Sequence, residues 1–276
     1  MELSPEELLA AGQLDEALAQ VSTRIRARPD DTGARALLFT VLCCRGEMDR
    51  AHQQIAVWAA IEPSAMPGLV AYERLLALER TRQKVLFGEL PPPLKEDANA
   101  PERCQAEVLR LSCAGQQVEA ARLFAQRGYC EVPGTRDGYA FRGIEDFDAR
   151  FGLLLEVFLP EGYYLVPLSR VQSLGADPPK TFLDSIWRPV AIQLGDAVTP
   201  AYLPVRYPGS ERSADPLVRM GRKTLCAEPQ PGFYVGTGQH FWLTREPEGD
   251  FSALDFASVH LGPPAATTPA VCSTLA

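Results

Sequence analysis

The chain of 276 residues is poor in the groups that carry most enzyme chemistry, with three histidines and no two cysteines in a C-x-x-C pair. His52, His240 and His260 never stand four residues apart, so a histidine metal site requires convergence of distant segments. Seven cysteines is an odd number, Cys43 and Cys44 are adjacent, and Cys104, Cys113, Cys130, Cys226 and Cys272 are scattered. They read as reduced thiols, with Cys43 and Cys44 as small packing residues at the end of a helix. No G-x-S-x-G elbow occurs. Gly236-Thr237-Gly238-Gln239 lacks the lysine-serine/threonine ending of a phosphate loop and runs into a strand-like His240-Phe241-Trp242-Leu243, so it reads as a bend or bulge. Positive charge is also short. The 27 Lys and Arg against 35 Asp and Glu leave a net charge of -8, which gives no field for nucleic-acid phosphates. No apolar run approaches the roughly 20 residues that cross a bilayer, and the acidic first residues do not resemble an export signal. The expectation is a cytoplasmic protein with no nucleic-acid partner, no membrane insertion and no cofactor. At 46% hydrophobic and 22% charged residues it can bury a large core in one or two domains.

What is present is a repeat. Ala11-Gly12-Gln13-Leu14-Asp15-Glu16-Ala17 returns in outline as Arg45-Gly46-Glu47-Met48-Asp49-Arg50-Ala51, and Pro29 has its counterpart in Pro63; both intervals are 34 residues. That is the length of a tetratricopeptide unit, two antiparallel helices stacked on the next pair. Leu14, Leu18, Val21 and Ile25 form one helix stripe that Pro29 ends, Asp31 or Thr32 caps the next helix, and Leu37, Leu38, Val41 and Leu42 supply its apolar face before Gly46 turns the chain. A further helix is expected over 64–87, with Pro67 in its first turn, and Pro91-Pro92-Pro93 opens a stiff connector over 90–100. Ala114-Gly115-Gln116-Gln117-Val118-Glu119-Ala120 echoes the opening motif inside a third, degenerate unit over 101–128.

Beyond Tyr129 helical periodicity gives way to glycine, proline and short apolar runs. Residues 151–158 and 163–168 around Pro160-Glu161-Gly162 predict a hairpin, and 190–194, 201–205 and 239–244 predict further strands of a small antiparallel barrel or curled sheet. Pro178-Pro179 introduces a helical turn over 182–187, and the small, proline-bearing residues 263–276 read as a disordered tail. The fold class is therefore α+β, with tetratricopeptide-like helices over 1–130 and a mostly antiparallel β-rich domain over 131–262. The densest polar cluster, Glu145, Asp146, Asp148, Arg150 and Glu156, has carboxylates that a metal or an acid–base pair could use. It lacks calcium-loop spacing and a histidine nearby, and reads as a structural pairing in which Arg150 fixes the approach to the sheet. Asp184, Trp187, Arg219 and Arg222 could line a polar pocket, against the commoner alternative of a buried tryptophan with a hydrogen-bonded indole.

Several of these segments together resemble the TagJ family, also called ImpE or SciE-type proteins, accessory components of bacterial type VI secretion systems. The segments are Gly134-Thr135-Arg136-Asp137-Gly138, Asp146-x-Asp148-x-Arg150-Phe151 with Leu155-Glu156, Tyr163-Tyr164-Leu165-Val166-Pro167, and Asp184-Ser185-Ile186-Trp187. Leu203-Pro204-Val205-Arg206-Tyr207-Pro208-Gly209-Ser210, Gly221-Arg222-Lys223-Thr224 and Gly236-Thr237-Gly238-Gln239 belong to the set too, as do, in the long helix, Ala71-Tyr72-Glu73-Arg74 and Arg82 with Val85, Phe87 and Gly88. Cys226 departs from it, standing where the family leads one to expect an aromatic residue. The resemblance implies a cytoplasmic adaptor without catalysis, associated with the small sheath subunit TssB through that subunit's N-terminal helix and with the ClpV unfoldase that recycles contracted sheath. A groove between stacked helices suits an amphipathic helix as guest. Tetratricopeptide geometry puts Ala36, Thr40 and Cys43 of the second unit, and Gln105 and Leu109 of the third, on the inner face. Two other readings stand beside this one: a metal-dependent hydrolase seated on Asp146, Asp148 and Asp184, and a helical-repeat scaffold unrelated to secretion.

Overall fold

A computed structural model describes residues 3–95 and 97–262. The tail over 263–276, Cys272 included, lies outside the described residues. Helix α1 (Pro5–Ala10) starts in a capping box in which the Ser4 hydroxyl accepts from the Glu7 amide and the Glu7 carboxylate accepts from the Ser4 amide. Gly12, at φ +75°, turns the chain into α2 (Leu14–Ala27), which buries Leu14, Ala17 and Val21. Asp31 caps α3 (Thr32–Cys44) and is itself gripped by Arg24 at 2.8 Å. Gly46, at φ +76°, leads into α4 (Met48–Ile61). Pro63–Ala65 forms a 3-10 turn before the long α5 (Met66–Leu86), with Pro67 in its first turn as expected. An Asn99–Glu102 capping box opens α6 (Ala100–Cys113), and Gly115, at φ +78°, separates it from α7 (Gln117–Gln126). The three echoes of the repeat motif are thus three αα-hairpin turns.

The sheet-rich half follows directly. In chain order its strands are β1 (Gly134–Arg136), β2 (Tyr139–Phe141), β3 (Gly143–Asp146), β4 (Leu154–Leu159), β5 (Gly162–Pro167), β6 (Val171–Gly175), β7 (Trp187–Leu194) and β8 (Ala197–Pro204). After the short α8 (Pro216–Arg219) come β9 (Thr224–Gln230), β10 (Phe233–Gly238), β11 (Phe241–Arg245), β12 (Gly249–Ser252) and β13 (Ser258–Leu261). Eight of these strands make one antiparallel sheet in the order β2-β1-β13-β6-β7-β8-β4-β5; β9 and β10 form a hairpin, and β12-β11-β3 a third sheet. The large sheet is open, so of the barrel and the curled sheet that the strand pattern suggested it is not the barrel. The expected hairpin is β4–β5, and the turn after Pro178-Pro179 is a 3-10 helix over Phe182–Ser185. The stiff connector does more than space the halves: Leu165 donates to the Pro93 carbonyl and accepts from the Lys95 amide, both at 3.0 Å, so the proline run covers the exposed edge of β5.

Strand β4 is buried on both faces, and its alternation decides where everything sits. Leu154 and Phe158 point into a core shared with the helices, which also takes Leu9, Leu42, Leu76, Leu109 and Trp187. Leu155, Val157 and Leu159 point into a second core with Ile144, Trp242, Phe251 and Phe256 beneath the three-stranded sheet. Glu156 falls on the helix-facing side. A carboxylate there must find charged partners, because burying it alone would cost several kcal/mol, on the order of what holds a whole domain folded. Among the described residues no helix is long and apolar enough to cross a membrane.

Candidate functional site

The inner-face helices α3 and α6 face the chain's own sheet. Cys43, Gln105 and Leu109 are completely buried. The Cys43 carbonyl accepts from Arg206 Nη2 at 3.3 Å, Gln105 Nε2 donates to the Ala149 and Arg150 carbonyls at 2.8 and 2.9 Å, and Leu109 belongs to the shared core. Extrapolation from an open repeat array fails at these three positions because the concave face is closed by the second half of the same molecule. Ala36 and Thr40 lie differently. They are half-buried in a notch walled by Phe39, Trp58, Tyr72 and Phe182. The Thr40 hydroxyl is spent on the Ala36 carbonyl at 3.0 Å, the Trp58 indole donates to Glu62 at 3.2 Å, and the Phe39 ring lies 5.1 Å from that of Tyr72, so the notch offers chiefly apolar surface.

The polar cluster forms a ribbon along the seam between helices and sheet. On α5, Arg82 clasps Glu156 in a bidentate pair, Nε to Oε1 at 2.8 Å and Nη2 to Oε2 at 2.9 Å, and donates to Glu79 at 3.2 Å. The Trp187 indole donates to the other oxygen of Glu79 at 3.0 Å. Glu156 also accepts from the Tyr163 hydroxyl at 2.6 Å and lies 3.2 Å from His240 Nε2, an ion-pair distance without good hydrogen-bond alignment. His240 Nδ1 is 3.0 Å from Asp146, whose second oxygen accepts from the Tyr207 hydroxyl at 2.7 Å and the Asp148 amide at 2.8 Å. Asp148 in turn holds the Arg150 guanidinium and the Gly236 amide at 2.7 Å.

Asp146, Asp148, Arg150 and Trp187 are therefore joined in one network, and two of the expected members are not. Asp184 caps the Thr181 turn, accepting from the Thr181 hydroxyl at 2.8 Å, and Arg222 donates to the Ala10 carbonyl at the surface. Of the three carboxylates that a hydrolase would use, Asp184 thus lies apart from Asp146 and Asp148, and all three are already filled by donors. No group of three His, Cys, Asp or Glu among the described residues is placed to hold a metal. The Gly236 segment also has a packing explanation, since a Cβ at Gly236 would collide with the Tyr207 ring.

Burial works against every charge here, and the partners decide the outcome. Burial would raise Glu156, but the charge of Arg82, with the contacts from His240, brings it well below the usual carboxylate range. Asp146 is raised by burial, which His240 only partly offsets. Burial pushes the Tyr163 and Tyr207 hydroxyls up, and their carboxylate neighbours push further, so both remain donors. Burial likewise keeps two neighbouring thiols protonated, taking Cys44 up to about 11 and Cys43 well above its ordinary value.

Comparison with known proteins decides what this architecture belongs to. Over 258 residues the chain is 34% identical to the type VI secretion system accessory component TagJ of Pseudomonas aeruginosa PAO1, spanning 91% of this chain and 90% of that protein. A family model described as ImpE protein matches residues 138–260. The chain belongs to the TagJ/ImpE family. The X-ray structure of protein VPA1032 from Vibrio parahaemolyticus shares the fold, with a TM-score of 0.83 at 24% identity over 95% of this chain and 98% of that one.

The segments that carry the TagJ/ImpE resemblance map largely onto the seam. Asp146, Asp148, Arg150, Glu156, Tyr163, Trp187, Arg206 and Tyr207 all come from them. Arg206 caps α3 from the sheet side, donating to the Cys44 carbonyl at 2.7 Å. Cys226 lies exposed on β9. Sequence reasoning missed Glu79, Arg82 and His240 as members of the network. A signal existed for the first two. Leu75, Glu79 and Arg82 stand at i, i+4 and i+7, so two charged residues occupy the apolar stripe of α5.

Proposed function

We propose that this TagJ/ImpE chain is a non-catalytic cytoplasmic adaptor of a type VI secretion system that binds the small sheath subunit TssB and assists ClpV-dependent recycling of the sheath. The observation that carries the reading is the 34% identity, over nearly the whole chain, to an accessory component of such a system. Within this reading, residues 1–130 present the docking face and residues 131–262 brace it. The guest is an amphipathic helix from the N-terminus of TssB, and its apolar side chains enter the notch of Ala36, Thr40, Trp58 and Tyr72.

Calorimetry with a peptide from the N-terminus of the cognate TssB tests the proposal. Binding is expected, with at least a tenfold loss of affinity in Thr40→Arg, whose longer charged side chain fills the notch. Unchanged affinity in a folded Thr40→Arg protein excludes this face. Absence of binding to the folded wild-type chain at high micromolar peptide overturns the adaptor reading.

A further inference from the structure

As a carboxylate, Asp146 has a charged partner only if His240 carries a proton. Of four carboxylates in the seam, Arg82 serves Glu79 and Glu156 and Arg150 serves Asp148, whereas Asp146 has no arginine; all except the slightly open Arg150 are buried, and the nearby Arg206 is spent on the Cys43, Cys44 and Arg219 carbonyls. The buried imidazole stands where Asp146 needs a positive charge, between Asp146 at 3.0 Å and Glu156 at 3.2 Å.

We infer that His240 is held as an imidazolium and acts as a proton-operated latch that keeps α5 docked on the sheet. An imidazolium has two N–H groups, so Nδ1 donates to Asp146 while Nε2 keeps its proton toward Glu156 at ion-pair distance; a neutral imidazole has one, and its bare nitrogen would then face a carboxylate oxygen. Glu156 is the group through which this reaches the helices, since Arg82 of α5 holds both of its oxygens. The surroundings offer no easy substitute for the lost charge. Asp146 comes from β3 and Glu156 from β4, with Tyr163 of β5 and Arg82 and Glu79 of α5 behind it; Asp148 and Arg150 lie behind Asp146. The Tyr207 ring, 3.8 Å from the imidazole, and the Phe151 ring at 5.3 Å close the remaining sides. The arginines do not titrate, and both tyrosines are pushed upward.

The sign follows from the balance at His240. Burial would lower its affinity for the proton, but Asp146 and then Glu156 more than compensate and raise it above the ordinary imidazole value. The folded chain therefore keeps a proton that the unfolded chain releases. The resulting stabilisation is complete below the ordinary imidazole value and is lost as pH rises through the folded one, by roughly tenfold in the folding equilibrium constant per pH unit between the two values. This inference goes beyond the adaptor reading and does not rest on it.

The test is nitrogen-15 NMR of the imidazoles in the full chain across pH 6 to 9.5, with His240→Gln to assign the resonance, together with hydrogen exchange of the α5 amides. The expected result is a His240 ring protonated on both nitrogens at pH 7.5. Corrected for intrinsic exchange, α5 should open progressively above that pH in the wild type and show a flat profile in His240→Gln. Asp146→Asn should move the wild-type transition to lower pH. A neutral His240 ring at pH 7 overturns the latch, as does α5 exchange that rises equally in wild type and His240→Gln. If His240→Gln does not fold, the wild-type ring spectrum, assigned through the shift in Asp146→Asn, decides by itself.

Discussion

Arg82 on α5 and Glu156 on β4 lie 74 residues apart in the chain and form a bidentate, almost fully buried pair across the seam between the helices and the sheet. A pair of this kind is costly to desolvate, so its value appears when one partner is removed and the other is left charged in the interior. Both are also held by second partners, Glu79 and Tyr163, which makes the seam a network more than an isolated bridge.

Arg82→Met is expected to destabilise the chain by about 3–5 kcal/mol, because Glu156 and Glu79 lose their counter-charge together. The control is Arg110→Ala. Arg110 pairs with Glu107 at the surface with both side chains nearly half exposed, and its loss should cost about 0.5 kcal/mol or less. Urea unfolding of the two variants distinguishes a seam that holds the molecule together from one that merely decorates it.

Acid should weaken the same seam by a different group. Glu156 is held below its ordinary value in the folded chain, chiefly by Arg82, so its contribution is present above the ordinary carboxylate range and is lost as pH falls toward the folded value. Asp146 acts in the opposite sense because burial raises it. Glu156→Gln should therefore flatten the acid limb of the stability profile between about pH 4.5 and 2.5, where Glu156 of the unfolded chain takes up a proton and that of the folded chain does not. An acid limb as steep in the variant as in the wild type would assign the loss to other carboxylates.

The three glycines of the repeat motif offer a graded test. Gly12, Gly46 and Gly115 share nearly the same left-handed φ, +75°, +76° and +78°, so alanine at any of them carries a backbone penalty of about 1 kcal/mol. Their surroundings differ. A Cβ at Gly46 would lie 2.5 Å from Glu211 Cγ and one at Gly12 would lie 2.9 Å from Pro216 Cβ, whereas one at Gly115 meets nothing within 4 Å. Gly46→Ala and Gly12→Ala should lower the melting temperature clearly more than Gly115→Ala. Equal losses would mean that the segment over 211–216 yields without cost.

These glycines also show how far the sequence can be read. The 34 residues from Gly12 to Gly46, the 69 from Gly46 to Gly115 and the proline stops announce the helix hairpins, because turn chemistry and stripe periodicity are local properties. The strands of the hairpin β4–β5 were legible for the same reason, and the Pro178-Pro179 turn as well. The short β1, β2, β3 and β13 were not, since three or four residues carry too little alternation to separate a strand from a loop. Within the site, Asp146, Asp148 and Arg150 stand out because they are neighbours. His240 does not, since it meets Asp146 across 94 residues through a strand pairing that no local pattern encodes. The closure of the concave face was hidden for a related reason. Inner-face and core positions have the same periodicity, and only the docking of a second half distinguishes them.

Gln105 puts that distinction to a direct test. If it faced a partner from an open groove, Gln105→Glu would be a surface change worth about 0.5 kcal/mol or less in the free chain. In the structure its amide nitrogen donates to two carbonyls of the 149–150 turn, and Gly152 approaches the amide so closely that a Cβ there would strike Oε1. Glutamate keeps the shape and removes both donors, leaving an acceptor against two acceptors in a fully buried site. The expected cost is about 3 kcal/mol at neutral pH, on the scale of an orphaned buried charge and its lost hydrogen bonds. Part of it should return as pH falls, because a protonated carboxyl can donate once again to a carbonyl. Chemical unfolding at pH 7.5 and pH 5 reads both effects, and a variant as stable as the wild type at both would show that α6 does not dock on the sheet through this residue.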